Sequence, residues 1–399
     1  MVIQEITPEF IPGAKIKVIW VGWAGNKTLN RMVQEGLEWV EFVAINTDAQ
    51  DLAINLAQRK VNIGLNITKW LWAGANPEIG RKSAEESENE IKEAIKDADM
   101  VFITAWMGGW TWTWAAPVVA SIAKEMGILT IGIVTTPFSF EGKKRSLNAE
   151  EGLAKIKDSV DSLIVIPNDK IFTVVDKKTS FKQAFTMIDK VLYLGVQGIS
   201  DLIVKPGDIN IDFADIRTVM AGSGNTMLGI WYGAGERRAV DAARKAIENP
   251  LVETNLDGAK KVIFAVSWGE DLTPIEVQEA ASVVEEILDA DVNMIWGMSF
   301  DDSLEDEVKV TIIATWFEEQ SKVKIVKWPD KWIFWNKWWH TIIDRKPTRE
   351  SENGFSRIMR QTAEDSSETT VTSNNEFEDE TPAFITKRLN KDKDQNSAN

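Results

Sequence analysis

Apolar and polar positions divide the first half of the chain into strands and helices that take turns. Residues 15–21 alternate and are β-branched, which predicts a strand. A small-residue loop follows, then a helix over about 28–35. Residues 40–46, 100–104, 129–134 and 163–167 are apolar runs of strand length. Between them, 83–98 reads as one capped, charged helix with Ile91, Ala94 and Ile95 inward, and 115–126 as another. This alternation implies an α/β fold, a parallel sheet covered by helices, with ligands at the carboxyl ends of the strands.

Residues 181–203 read as one long helix. Phe185, Ile188, Val191, Leu192, Ile199 and Leu202 recur at three- and four-residue steps, so one stripe is core. Further strands are expected over 260–267 and 307–315 and a helix over 274–288, enough for a second α+β domain. The organisation expected is a flexible arm (1–13), a ligand-binding domain (14–180), a central helix (181–204) and a second domain (205–319). A polar linker, disordered by composition, spans 320–375, and a tail spans 376–399.

Candidate chemistry lies in the loops after the strands. Gly22-Trp23-Ala24-Gly25-Asn26-Lys27 follows the first strand; Gly22 and Gly25 alone are a weak dinucleotide-loop signal. Residues 68–80 include Ala73, Gly74 and Ala75. The fourteen residues from Thr104 contain Gly108-Gly109-Trp110-Thr111-Trp112-Thr113-Trp114 between a strand and a helix. A helix N-terminus after such a loop is a natural anion site, because its free N–H groups point outward. Glycine and threonine suit it. Tryptophan does not: an indole blocks a phosphate and resists φ > 0. Glu141 and Arg145 follow the next strand and by themselves read as a solvated surface pair. Asn168 follows the strand after that. Beyond the long helix come Asn210, Asp212 and Asp215, where a carboxylate also suits a helix N-cap.

Composition sharpens this. With 61 Asp and Glu against 45 Lys and Arg, the formal net charge of -16 disfavours a nucleic-acid partner. There is no cysteine, and the single histidine, His340, excludes a His-based triad or His-cluster zinc site. No signal pattern and no apolar run long enough for a bilayer is present, so a cytoplasmic protein without membrane insertion is expected. One count is anomalous: 18 Trp against 2 Tyr.

With glycine at Trp106, Trp110, Trp112 and Trp114, the central loop reads AGMGGGTGTGAAP. That resembles the signature loop of FtsZ, the family of bacterial tubulin homologues that polymerise at the division site. Glycine at Trp23 makes VGGAGNK, similar to the family's first nucleotide loop, although Lys27 departs from the commoner GAGNN. Glycine at Trp70 and Trp72 makes TKGLGAGANPEIG. The FxFEGKKR segment at 138–145 and a GxxNxDFxD loop at 207–215 also match, the latter with no tryptophan.

The resemblance implies a tubulin-like fold: a Rossmann-type GTPase domain, a long central helix and a second domain. It implies GTP and Mg²⁺ as ligands, with Glu141 and Arg145 flanking ribose and phosphates and Phe185 and Asp189 at the guanine. An aspartate can accept from guanine N1–H and N2–H₂, a pair adenine lacks. It further implies head-to-tail self-assembly, with Asn210, Asp212 and Asp215 of one subunit polarising water at the nucleotide of the next. Pro382, Phe384, Ile385, Lys387, Arg388 and Leu389 look like the family's C-terminal peptide, which docks on a membrane-tethering division adaptor. Two other readings stay open here, a nucleotide-dead structural filament and a tubulin-like plasmid or phage segregation GTPase; the tail argues against the second.

Trp20, Trp23, Trp70, Trp72, Trp106, Trp110, Trp112, Trp114 and Trp316 all fall where the family has glycine. Trp39, Trp231 and Trp268 sit in glycine-like turns, whereas Trp296 aligns with an aromatic. Selection for function would not place so many indoles in phosphate loops. Some bacterial lineages read UGA as glycine, and translating such a gene with a table that reads UGA as tryptophan yields this pattern.

Overall fold

The computed structural model describes residues 13–22, 24–37, 39–68, 76–109, 112–175, 179–205, 207–248, 256, 258–269, 271–288 and 292–315, leaving aside the side chains of 24–27 and 112. The arm, the linker and the tail expected from the sequence lie outside them. All described residues belong to one compact unit.

The first half alternates: β1 (Ile16–Val21), α1 (Ala24–Gln34), β2 (Val40–Asn46), α2 (Ala49–Ala53), β3 (Arg59–Asn62), α3 (Leu65–Thr68), α4 (Pro77–Glu86), α5 (Glu88–Ile95), β4 (Met100–Trp106), α6 (Trp112–Glu125), β5 (Leu129–Thr136), α7 (Lys143–Ser159) and β6 (Ser162–Pro167). The long helix α8 (Phe181–Val204) follows. The second half comprises α9 (Phe213–Met220), β7 (Gly224–Asn225), β8 (Met227–Gly233), α10 (Arg238–Ile247), β9 (Lys261–Trp268), α11 (Pro274–Glu285), β10 (Asn293–Phe300) and β11 (Val308–Thr315).

Seven strands form a parallel sheet in the order β3-β2-β1-β4-β5-β6-β7. Its strands are buried on both faces, which is why they read as continuous apolar runs. Four strands form a mixed sheet, β10-β9-β11-β8, with β9 and β10 parallel and the other pairs antiparallel. Helix α8 lies between the sheets, capped by Ser180 and Gln183 in a reciprocal box. Gly195 shows how close the three layers come. A Cβ there would stand 3.5 Å from both Ile133 of the first sheet and Leu228 of the second. Glycine inside a helix costs roughly 0.5–1 kcal/mol; here the close fit on two sides offsets it. One core therefore runs from β1 through α8 into β9 and β11.

Two expectations need correcting. The single helix expected over 83–98 is two, α4 and α5, broken at Ser87 (φ -102°, ψ 27°). Asn76 caps α4 and Pro77 opens it, so it starts before the apolar stripe. The Ser87 hydroxyl accepts from the Gly64 N–H at 3.1 Å, a tertiary contact with no signature in the sequence. Helix α7 was not expected, because only Ala149, Gly152 and Ile156 of its 17 residues are buried. Among the described residues no helix is long and apolar enough to cross a membrane.

Candidate functional site: a cleft at the switch point of the parallel sheet

Strand order reverses between β1 and β4, which lie side by side with Trp20 opposite Thr104. Chains leaving these strands turn to opposite faces and open a crevice between them. The Gly22 N–H donates to the Ile45 carbonyl at 2.9 Å, at φ 103°, and α1 begins two residues later. After β4, the Met107 N–H donates to the Thr135 carbonyl at 2.8 Å. Gly108 then turns at φ 95° and its N–H donates to Thr113 Oγ1 at 2.9 Å, which ties the loop to the start of α6. A Cβ on Gly108 would sit 2.8 Å from the Arg145 carbonyl oxygen. Two helix N-termini, of α1 and α6, thus open beside one crevice and favour an anion there.

The neighbouring strand ends add polar groups. Glu141 accepts from the Phe138 N–H at 2.9 Å and pairs with Arg145, four residues on. Ser139 donates its N–H to the Asp169 carboxylate at 3.0 Å. Asn168, immediately after β6, is buried, and neither polar atom of its side chain has a partner among the described residues. A buried donor and acceptor left open is costly unless something else completes them.

Helix α8 closes the site. Asp189 is 7 % exposed and accepts from Thr28 Oγ1 and, at 2.8 Å, from Arg31 Nη1, both on α1. Phe185, one turn earlier, meets Phe138 edge-on at 5.5 Å. Its face is stacked against the indole of Trp106 at 5.5 Å and 17°. Sequence reasoning missed Thr28 and Arg31. Their i,i+3 spacing on one face of α1 was the available signal, since it aims both at one neighbour.

Of the expected site residues, Gly22, Gly108, Gly109, Thr113, Glu141, Arg145, Asn168, Phe185 and Asp189 lie among these strand ends and the flanking α8. Trp23, Ala73, Gly74, Ala75, Trp110 and Thr111 lie outside the described residues, as do the side chains of Ala24, Gly25, Asn26, Lys27 and Trp112, and the tail residues from Pro382 to Leu389.

Asn210, Asp212 and Asp215 lie elsewhere. They follow the C-terminal end of α8, whose 24 residues span about 36 Å. Asp212 caps α9 by accepting from the Asp215 N–H at 2.9 Å, and Asp215 accepts from the Asp212 N–H at 3.1 Å. Asn210 Oδ1 accepts from the Gly207 N–H at 2.6 Å. The cap reading of the two carboxylates is therefore correct, and it leaves Asp212 exposed.

The tryptophans fit poorly. Trp39 is one of two non-glycine residues with positive φ among those described, at 67° and 73 % exposed. The indole N–H groups of Trp20, Trp106 and Trp114 are buried with no acceptor among the described residues, although a buried indole N–H ordinarily finds one. Trp114 lies under Lys155 of α7, with Nζ 3.8 Å from the ring. Trp296 differs, packing edge-on against Phe264 at 4.9 Å.

A doubly wound sheet with paired anion-binding helix ends, a buried aspartate on a central helix and a second mixed sheet define a tubulin-type nucleotide-binding protein. Residues 15–176 match the Tubulin/FtsZ family GTPase domain, and residues 224–318 match the FtsZ family C-terminal domain. An empty FtsZ dimer from M. jannaschii is 46% identical, covering 76% of this chain and 88% of its own, with a TM-score of 0.70. A mutant FtsZ of the same organism is also 46% identical, over 76% and 91%, with a TM-score of 0.71. A GTPγS-bound CetZ2 protofilament from Haloferax volcanii, 18% identical over 89% and 100% with a TM-score of 0.64, shares the fold. The chain belongs to the FtsZ family, the tubulin-like GTPases whose filaments form the cell-division ring.

Proposed function

We propose that GTP lies in the switch-point crevice of one subunit and is hydrolysed with the help of Asn210, Asp212 and Asp215 of the next subunit in a head-to-tail filament. The separation of these groups carries the reading. From Asp189 in the crevice to its end at Val204, the helix runs on for about 22 Å before the loop that carries the carboxylates, too far for either aspartate to reach its own nucleotide.

In this reading the backbone N–H groups after β1 and β4 cradle the phosphates, and Glu141 and Arg145 flank ribose and phosphate. Asn168 offers its unpaired amide to the ligand. Asp189 accepts from guanine N1–H and N2–H₂, sharing its carboxylate with Thr28 and Arg31. Phe185 stacks on the base. Asp212 and Asp215 accept from the attacking water and orient it, while positioning and charge stabilisation do most of the work. Mg²⁺ would sit on the phosphates and draw off charge developing there. The tail peptide would recruit the filament to the division site through a membrane-tethering adaptor.

The native residue at the anomalous tryptophans is glycine, encoded by UGA. The positive φ at Trp39, the unpaired indoles and the indole on the base-stacking face of Phe185 support this. UGG codons at Trp110, Trp112 and Trp114 would refute it. Two proteins test it, one as written and one with glycine at these positions, titrated with a fluorescent GTP analogue. Binding is expected only in the second. Equal affinity would show that the indoles leave the crevice open.

A further inference from the structure

Strand β11 is buried along its whole length, between β9 and β8, yet its second residue is Lys309. Its Nζ reaches across to α8 and donates to Asp201 Oδ2 at 3.0 Å. Asp201 lies in the last turn of α8, directly before the loop that carries Asn210, Asp212 and Asp215. Lys205, the residue after the helix, bridges the same Asp201 at 3.5 Å and Asp301 at 2.8 Å. Asp301 is fixed in turn, since its N–H donates to the Trp268 carbonyl at 2.8 Å and its Oδ1 accepts from the Ser303 N–H at 3.1 Å.

Two cations and two carboxylates thus form a neutral cluster at the C-terminal end of α8, where the helix dipole favours the lysines. Burial works against the charge on Lys309, but Tyr232 and Asp201 outweigh it and hold the ammonium above its ordinary range. Beyond Lys205 the loop is held by exchange of backbone hydrogen bonds between Ile209 and Met298 of β10, at 3.2 and 2.9 Å. Gly207 permits that approach, since a Cβ there would stand 2.1 Å from the Met298 carbonyl oxygen.

A lysine in a wholly buried strand needs a reason beyond stability. A well-packed apolar side chain is often as stable as a buried ion pair, whereas the ion pair fixes geometry. We propose that Lys309, acting through Asp201 with Lys205 and Asp301, is a positioning residue that sets the placement of the Asn210–Asp212–Asp215 loop against the neighbouring subunit's nucleotide. Lys309 itself touches no reactant. The inference rests on the shared-site reading above, and it assigns the defect of a Lys309 variant to the loop-bearing side of the interface alone.

The test uses the full-length, glycine-bearing chain. Lys309→Met should bind fluorescent GTP as the parent does, with KM nearly unchanged, and lose turnover by about tenfold or more, because small misplacements are costly in catalysis. Lys309→Arg should restore most of it. Mixing then locates the defect. Asp189→Ala subunits hold no nucleotide but carry an intact loop, so adding them should revive Lys309→Met. Adding Asp212→Ala subunits, which carry a dead loop, should not. If Lys309→Met does not fold, Lys205→Met, at the more exposed root of the loop, carries the same comparison. Parent-like turnover in the folded variant, or failure of Asp189→Ala to revive it, would overturn the proposal. The pair Asp212→Ala plus Asp189→Ala is the control. Silence there means that the shared-site reading itself fails and the proposal with it.

Discussion

At Trp39 the backbone takes φ 67° while the indole lies largely in solvent. A left-handed L-residue costs roughly 1–2 kcal/mol, and this one gains little from burial. Trp39→Gly should therefore stabilise the chain by about 1 kcal/mol despite the greater freedom of an unfolded glycine. Urea unfolding checks this as a higher midpoint at unchanged slope, and Trp39→Ala, which keeps the Cβ, should gain nothing. A less stable Trp39→Gly would mean that the turn wants a side chain, removing one support for the recoding. The tryptophan count pointed to the anomaly. The structure bears out the difference in context between Trp39, held in a strained turn, and Trp296, seated against Phe264.

For α9 the Asp212–Asp215 capping box makes stability and chemistry overlap. Asp212→Ala removes a cap worth about 1 kcal/mol as well as a carboxylate, so its effect on turnover is ambiguous. Serine caps about as well as aspartate but carries no charge. Asp212→Ser should leave the unfolding midpoint close to that of the parent and still abolish GTP turnover with GTP binding intact. Retained turnover in the serine variant would reduce Asp212 to a cap. Elements were legible where their burial is one-sided or complete. The expected strands β1, β2, β4, β5, β6, β9 and β11 and the helix α8 were placed within a residue or two, because their apolar positions carry the period, whereas β3, β7, β8 and β10 were not placed. Helix α7 was not, since most of its side chains face away from the core. The break between α4 and α5 was not, since Gly64 and Ser87 meet only once the chain has folded.

For the whole molecule, the proposed sharing of the site between the crevice of one subunit and the loop after α8 of the next works only in a polymer. GTP turnover per subunit should rise with protein concentration and level off once filaments dominate, and deleting residues 376–399 should leave that curve unchanged while abolishing recruitment to adaptor-bearing membranes. Phosphate release across a dilution series checks the first part, and vesicle co-sedimentation the second. A rate independent of concentration would place all of the chemistry within one subunit.

The sequence by itself determined the alternating α/β pattern, the long central helix, the glycine- and threonine-bearing loops and the family they resemble, because period and local turn chemistry are written residue by residue. It also determined that tryptophan is out of place in those loops, since an indole's bulk needs no coordinates to judge. Tertiary structure alone decided that Thr28 and Arg31 converge on Asp189, that Asn168 is buried without a partner, and that Trp106 covers Phe185. It alone brought Lys309 to Asp201, 108 residues away. All but the unpaired Asn168 join side chains from separate elements. Such pairings arise from how α8 is packed between two sheets, a distance and an orientation that no local pattern encodes.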